Sequence, residues 1–109
     1  MASTTGDLTL ASWVRLTAHE KLVFKIPQAL RCLFMEFRNG TLTFRAVFRE
    51  TPTALDQELI SDALCETAGS FTEITEHHLE CVVSHAGFDE LEKLDYWLFA
   101  RADEVDQAE

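Results

Sequence analysis

The chain has 109 residues, of which 47% are hydrophobic, so it is long enough for one domain with an ordinary apolar core and too short for a second. Its net charge of −10 repels nucleic acid and anionic lipid and favours encounter with a basic protein. The charge is uneven, because residues 1–49 carry a net +4 and residues 50–109 a net −14. This acidity either keeps a small protein soluble or attracts a basic partner.

The cysteine content and the absence of targeting signals indicate the compartment. Cys32, Cys65 and Cys81 are an odd number spread over different predicted elements, which disfavours a disulfide framework and favours a reducing environment. The first residues lack the basic and apolar regions of a secretory signal, and no apolar run approaches the roughly 18 to 20 residues of a membrane span. We therefore predict a cytoplasmic protein.

A first helix is predicted from Leu8 to Val23, with Asp7 as its N-cap. Apolar residues recur near helical spacing in this stretch, and Trp13 is expected to face the core. Pro27 disfavours helical geometry at Ile26, so the helix should end before it and the chain should continue in an extended form.

A β-hairpin is predicted from Ala29 to Arg49, with its turn at Asn39-Gly40. Asn-Gly favours a type I′ turn, which needs positive φ at both central residues. One face of the hairpin is then almost wholly apolar, with the pairs Phe37–Leu42, Met35–Phe44, Leu33–Ala46 and Arg31–Phe48. The other face is mixed and would meet water or a partner, with the pairs Glu36–Thr43, Phe34–Arg45, Cys32–Val47 and Leu30–Arg49.

A second helix is predicted to begin after Thr53, because Thr53 and Asp56 have the spacing of a capping box. Gly69 is expected to close it. The apolar side spans an arc of about 140° when each residue advances about 100°, and it should pack on the apolar face of the hairpin. Its residues are Leu59, Ile60, Ala63, Leu64 and Phe71.

The opposite side of this helix carries an acidic stripe of Glu58, Asp62 and Glu66 at i, i+4 and i+8, with Leu55 between them. Like charges at this spacing destabilise a helix by about 0.2 to 0.5 kcal/mol a pair, so stability alone does not favour the stripe. It is either a solvated helix face or a docking surface for a basic partner.

Two more strands are predicted, Glu73 to His85 and Lys93 to Arg101, joined by the acidic connection Ala86 to Glu92. The last strand is apolar on both sides, which is typical of a central strand. The acidic tail from about residue 102 is expected to fray. The prediction is thus one α+β domain over residues 1–109, in the order α-β-β-α-β-β, with a four-stranded, largely antiparallel sheet and helices mainly on one face.

Few residues suggest chemistry. His77, Cys81 and His85 would line one face of a helix, but on a strand four residues span about 13 Å, too far for one metal ion. No Gly-rich phosphate loop, G-x-S-x-G elbow or Cys-x-x-Cys is present. We therefore predict no metal, no cofactor and no catalytic residue. The alternatives are an acid/base or metal-assisted enzyme using His77, His78 and carboxylates, and a homodimer formed through the mixed sheet face.

The order of parts from Ile26 to Arg101 resembles a group of small bacterial immunity proteins. These are encoded beside toxins of contact-dependent growth inhibition and related polymorphic systems. The resemblance rests on four features: the segment IPQALR that leads into the hairpin, the hairpin about Asn39-Gly40, the helix start TALD, and the aromatic strand DYWLFAR. It implies that the chain binds a cognate toxin domain, often a nuclease, and neutralises it by occluding its active site or substrate surface.

Interface residues diverge among such proteins, so the predicted toxin-binding residues rest on the distribution of charge. They are Glu58, Asp62 and Glu66 on the second helix, supported by Asp89, Glu90 and Glu92 in the acidic connection. Steering by opposite charge raises association rates by 10 to about 1,000-fold. The sheet face with Phe34, Arg45 and Val47 is the next candidate. The free chain is expected to be a monomer or weak dimer that contacts neither nucleic acid nor membrane directly.

Overall fold

The computed structural model describes residues 2–102 and 104, and only the backbone of residues 2–9. Its helices and strands are α1 (Ala2–Lys21), β1 (Leu30–Arg38), β2 (Thr41–Phe48), α2 (Ala54–Gly69), β3 (Glu76–Val83) and β4 (Tyr96–Ala100). A short 3-10 helix, Phe88–Glu90, lies between β3 and β4. The α+β class is as predicted, and the 3-10 helix is an addition to the predicted order. Within the described residues, no helix is long and apolar enough to cross a membrane.

The hairpin of β1 and β2 turns at Asn39 and Gly40, whose φ angles are 52° and 79°. The predicted register is confirmed from the pair Arg38–Thr41 to the pair Cys32–Val47. Beyond that point a bulge brings Leu30 opposite Phe48, so the predicted pairs of Arg31 with Phe48 and of Leu30 with Arg49 are wrong. The bulge takes Arg31 out of the pairing with β2, while its carbonyl oxygen still accepts a hydrogen bond from the backbone N–H of Arg101.

The strand order in the sheet is β3-β2-β1-β4. β1 pairs antiparallel with β2 and β4, whereas β2 pairs parallel with β3. The sheet is therefore mixed, because α2 crosses over between β2 and β3 and returns the chain in the same direction. β4 was expected to be central but lies at an edge; one of its sides faces the helices and the other contacts the connection before it.

Both helices pack on one face of the sheet, as predicted. α1 buries Val14 and Ala18, the turn after it buries Leu22, and α2 buries chiefly Ile60 and Leu64. These side chains share one apolar core with the inward residues of the sheet, among them Leu33, Met35, Phe44, Phe48 and Leu98. Burial of this apolar surface is the main term that holds the two layers together.

The opposite face of the sheet is covered by the chain itself. Phe34 is 0% exposed and Val47 is 1% exposed, and both belong to a second core with Phe88. Phe88 belongs to the connection between β3 and β4, and Leu91 and Leu94 of this connection pack against the same core. The mixed face that was a candidate for a partner or a homodimer is therefore closed over these residues by the connection between β3 and β4.

α1 differs from its prediction at its start and in its orientation. The helix begins at Ala2, so Asp7 lies inside it and is not the N-cap. No proline precedes Asp7 to stop a helix, and one capping residue does not define a start by itself. Trp13 is 56% exposed, since the helix turns it about 140° away from the buried Ala18.

α2 begins as predicted. The backbone N–H of Asp56 donates to Thr53 Oγ1 at 3.0 Å, and the backbone N–H of Thr53 donates to Asp56 Oδ2 at 3.0 Å. This reciprocal capping box satisfies two backbone donors that the first turn of a helix leaves free. The helix ends at Gly69, and the backbone N–H of Ser70 donates to the carbonyl oxygen of Thr67.

Glu104, in the tail that was expected to fray, is 5% exposed. Its carboxylate accepts two hydrogen bonds from the guanidinium of Arg31, at 2.6 and 2.9 Å, and Arg31 Nη1 also donates to the carbonyl oxygen of Ser84 at 2.8 Å. The buried pair thus ties the tail to β1 and to the end of β3. Residue 103 and residues 105–109 lie outside the described residues.

Gly40→Ala is expected to lower the free energy of unfolding by about 1 to 3 kcal/mol. Alanine disfavours positive φ, and a Cβ at this position would lie 2.9 Å from Thr75 Oγ1. Gly69→Ala is the matched control, since its Cβ meets nothing within 4 Å and the residue is helical; it should leave stability unchanged or raise it by up to about 1 kcal/mol. Urea denaturation measures both, and equal effects would contradict the role assigned to the turn.

Glu104→Gln is expected to cost about 2 to 4 kcal/mol of stability at pH 7, because the buried guanidinium of Arg31 loses the carboxylate that accepts two of its hydrogen bonds. The hydrogen bonds and charge of Arg31 hold the pKa of Glu104 below its ordinary value of 4.5. The stabilisation is therefore complete above that value and is lost as the pH falls through the lower pKa of the folded state.

Urea denaturation between pH 3 and pH 7 should therefore show the gap between wild type and Glu104→Gln closing at the acidic end of this range. Glu58→Gln removes one charge from an exposed position and should change stability by less than about 0.5 kcal/mol. A gap that stays constant down to pH 3 would contradict the ionic role of Glu104.

Candidate partner-binding surface

The acidic stripe predicted on the second helix lies on the solvent face of α2. Glu58, Asp62 and Glu66 are exposed, and they project from the side opposite to the buried Ile60 and Leu64. Leu55, on the same side, is 63% exposed. The structure therefore brings the three acids of the stripe together on one face that is open to solvent.

Glu66 differs from the other two acids because it has a cation partner. Lys25 Nζ lies 2.8 Å from Glu66 Oε1 and donates a hydrogen bond to it. This bond and the positive charge of Lys25 lower the pKa of Glu66 below its usual range. The pair connects α2 to the turn between α1 and β1. Sequence reasoning missed it, because the partners are 41 residues apart.

The acids of the connection between β3 and β4 lie on the other side of the sheet, away from the stripe on α2. Glu92 accepts a hydrogen bond from Arg45 at 3.2 Å, on the sheet face that carries Phe34 and is remote from the helices. Glu90 Oε1 accepts one from the backbone N–H of Gly87 at 3.3 Å. Asp89 and Glu90 belong to the 3-10 helix that covers this second face. The structure therefore does not join the predicted supporting acids to the stripe on α2.

The histidines of β3 have separate partners on opposite faces of the strand. His77 Nε2 lies 3.7 Å from Cys65 Sγ, and His78 Nε2 lies 3.6 Å from Glu76 Oε2. Adjacent residues of a strand point in opposite directions, so the two imidazoles do not form one acid/base site. Among the described residues, no group of three or more His, Cys, Asp or Glu side chains is placed to hold a metal ion.

The three cysteines have free thiols. Cys32 is fully buried, and burial raises the pKa of its thiol to about 11, although Arg31 acts in the opposite direction. It therefore stays protonated at neutral pH and serves as a small apolar side chain of the second core. Cys65 and Cys81 are exposed.

An exposed apolar surface on α1 was not predicted. Trp13, Leu16 and Val23 are each 56% exposed, and Phe24, in the turn after the helix, is 97% exposed. Trp13 and Leu16, at i and i+3, share one side of α1, and Val23 and Phe24 lie in the turn that follows the helix. That spacing was visible in the sequence, but it could not show whether this side or the side of Val14 and Ala18 would face the sheet.

The sequence model of one protein family, described as MafI2 immunity protein, matches residues 11–103. The matched range contains all four strands and α2, together with α1 from residue 11 onward. No curated protein matches the chain. The family match confirms the resemblance to bacterial immunity proteins of polymorphic toxin systems.

Lys25→Met is expected to raise the pKa of Glu66 towards its ordinary value of 4.5, because the hydrogen bond and the charge that lower it are removed. Carbon-13 NMR titration of the side-chain carboxyls measures this shift. Lys93→Met is the control, since Lys93 Nζ donates to the carbonyl oxygens of Phe88 and Leu91. An unchanged titration of Glu66 in Lys25→Met would contradict the pairing.

Proposed function

Because the chain belongs to the MafI2 immunity protein family, we propose that it neutralises one cognate toxin domain by stoichiometric binding, and that this domain is basic. The exposed acidic face of α2 is the surface that first meets the toxin. The proposal extends the family role to a class of partner and to a named surface.

The observation that carries the proposal is the stripe of Glu58, Asp62 and Glu66 on the open face of α2. Acids at i, i+4 and i+8 repel one another on a helix, and one ion pair, with Lys25, offsets part of that repulsion. The stripe lies in the half of the chain that carries a net −14. A field of this sign attracts a basic domain and orients it as it approaches.

The class of toxin follows from the same chemistry. A nuclease holds the phosphates of its substrate with lysine and arginine side chains, so its substrate surface is basic. A row of carboxylates on a helix presents anionic groups that these side chains pair with. We therefore assign the partner to the nucleases, and the mode of inhibition to occlusion of the active site or of the substrate surface.

In this proposal the chain acts by binding and not by catalysis. The separate partners of His77 and His78 support this, since an acid/base pair needs both groups within reach of one substrate atom. The three free thiols fit action in the reducing cytoplasm, where a toxin that has entered the cell would meet its inhibitor.

Replacing the stripe, as Glu58→Gln, Asp62→Asn and Glu66→Gln together, is expected to slow toxin capture by about tenfold or more at low salt. The dependence of the association rate on salt should become flatter, because the charges that steer the encounter are gone. Stopped-flow fluorescence with a catalytically inactivated toxin domain, at several salt concentrations, measures both quantities.

The matched control is the triple variant Glu50→Gln, Glu73→Gln and Glu76→Gln, which removes the same number of exposed acids outside the stripe. It should lower the association rate less than the stripe variant does. Equal rates in the two triple variants would show that net charge alone matters, and an unchanged rate in the stripe variant would place the encounter surface elsewhere.

A further inference from the structure

The outer side of α1 and the turn that follows it expose large apolar side chains. Trp13, Leu16 and Val23 are each 56% exposed, and Phe24 is 97% exposed. Trp13 and Leu16 lie on the side of α1 turned away from Val14 and Ala18, which fill the core, and Val23 and Phe24 follow the buried Leu22 in the turn. We call Trp13, Leu16, Val23 and Phe24 the α1 apolar patch. Several large apolar side chains exposed together mark an interaction site more often than scattered single ones do.

Phe24 has a backbone conformation that stability does not explain. Its φ is 67°, in the left-handed region that glycine and asparagine adopt most readily at the end of a helix. An aromatic residue there costs conformational free energy, and its ring gains little packing within the chain because 97% of the residue is exposed. Local strain without a packing return favours a role in contact with another molecule.

A pocket adjoins the patch at Val23. It has a volume of about 170 Å³ and lies between the end of α1 and β4. Its lining is His19, Leu22, Val23, Ile26, Leu98 and Phe99. Leu22 and Leu98 are buried and form its apolar floor. An apolar cavity of roughly 150 Å³ holds a benzene ring, so this pocket has room for one aromatic or branched aliphatic side chain.

The turn at the end of the patch adjoins the acidic face of α2. Val23 and Phe24 directly precede Lys25, and Lys25 Nζ lies 2.8 Å from Glu66 Oε1. The exposed apolar side chains of the turn thus adjoin one end of a row of carboxylates. A surface of this kind has the composition of a stable protein interface, in which a desolvated apolar centre is bordered by charged residues.

We propose that the α1 apolar patch and its pocket form the desolvated centre of the toxin interface, where an apolar side chain of the toxin inserts between α1 and β4. This inference rests on the proposed function and divides the work between two neighbouring surfaces. The acids of α2 set the rate of association, and the apolar patch sets the lifetime of the complex.

Charge selects the toxin over a second copy of this chain as the occupant. Two copies, each with a net charge of −10, repel one another, and pairing through the patch would bring their acidic α2 faces near each other. A basic domain is attracted to the same region. A homodimer through the patch is therefore an outcome that the experiment must exclude.

The decisive variant is Trp13→Gln, Leu16→Gln and Phe24→Asn together, because these residues are exposed and asparagine tolerates positive φ. The probe is the catalytically inactivated domain of the cognate toxin. We expect the dissociation rate to rise by about 30-fold or more, with the association rate and its salt dependence unchanged. The melting temperature should be unchanged or higher, since Phe24→Asn relieves strain.

A matched pair of single variants guards against a folding artefact. Val23→Thr and Val83→Thr make the same change at exposed positions, one in the patch and one on β3. Val23→Thr should speed dissociation severalfold, and Val83→Thr should not. Biolayer interferometry gives the rates, and sedimentation velocity of the free chain gives its oligomeric state.

The outcomes separate the two proposals. If the wild type binds the toxin domain and the dissociation rate is unchanged in both patch variants, the role proposed for the patch is wrong and the proposed function is unaffected. Self-association of the wild type that the patch variant abolishes, without any effect on the toxin, also overturns it. Failure of the wild type to bind the toxin domain overturns the proposed function together with this inference.

Discussion

Two consecutive residues with positive φ, Asn39 and Gly40, impose the register on which both faces of the sheet depend. The turn aligns the apolar residues of β1 and β2 towards the helices and the alternate residues towards the other side. It also receives the third strand, because the carbonyl oxygen of Gly40 accepts hydrogen bonds from the backbone N–H groups of Thr75 and Glu76, at 2.8 and 3.2 Å. One tight turn therefore sets the hairpin pairing and the point at which β3 joins β2.

The two central strands of the sheet, β1 and β2, are covered on both sides by different means. The helices cover one side through a large apolar core, while the connection between β3 and β4 covers the other through Phe88 and its neighbours. The bulge at Arg31 adds a polar tie, since it directs a guanidinium to Glu104 and to the carbonyl oxygen of Ser84. The outer faces of α1 and α2 stay open to solvent, so a partner can reach both of them.

These two outer faces differ in the physics that they offer. The carboxylates of α2 act at long range, because Coulomb interactions extend over about a Debye length of 8 to 10 Å at moderate salt. The apolar side chains of α1 act only on contact, because the hydrophobic effect needs surfaces to exclude water from each other. An inhibitor that must capture a toxin quickly and then hold it needs both properties, and the pair Lys25–Glu66 lies where the two surfaces meet.

The sequence by itself determined the features whose signals are local. The Asn-Gly dipeptide specified the turn and most of the hairpin register, Thr53 and Asp56 specified the start of α2, and the helical spacing of Glu58, Asp62 and Glu66 placed these acids on one solvent face. Each of these depends on backbone geometry within a few residues, so no knowledge of distant elements was needed.

Only the tertiary structure decided the rest. It made β3 parallel to β2, placed β4 at an edge, buried Phe34, and turned Trp13 towards solvent. It also paired Glu66 with Lys25 and separated Glu92 from the α2 stripe. The residue pattern of an amphipathic segment, or of a segment that is apolar on both sides, does not determine which side another element will cover. That choice depends on how segments far apart in the chain compete to bury the most apolar surface, and this competition has no local signature.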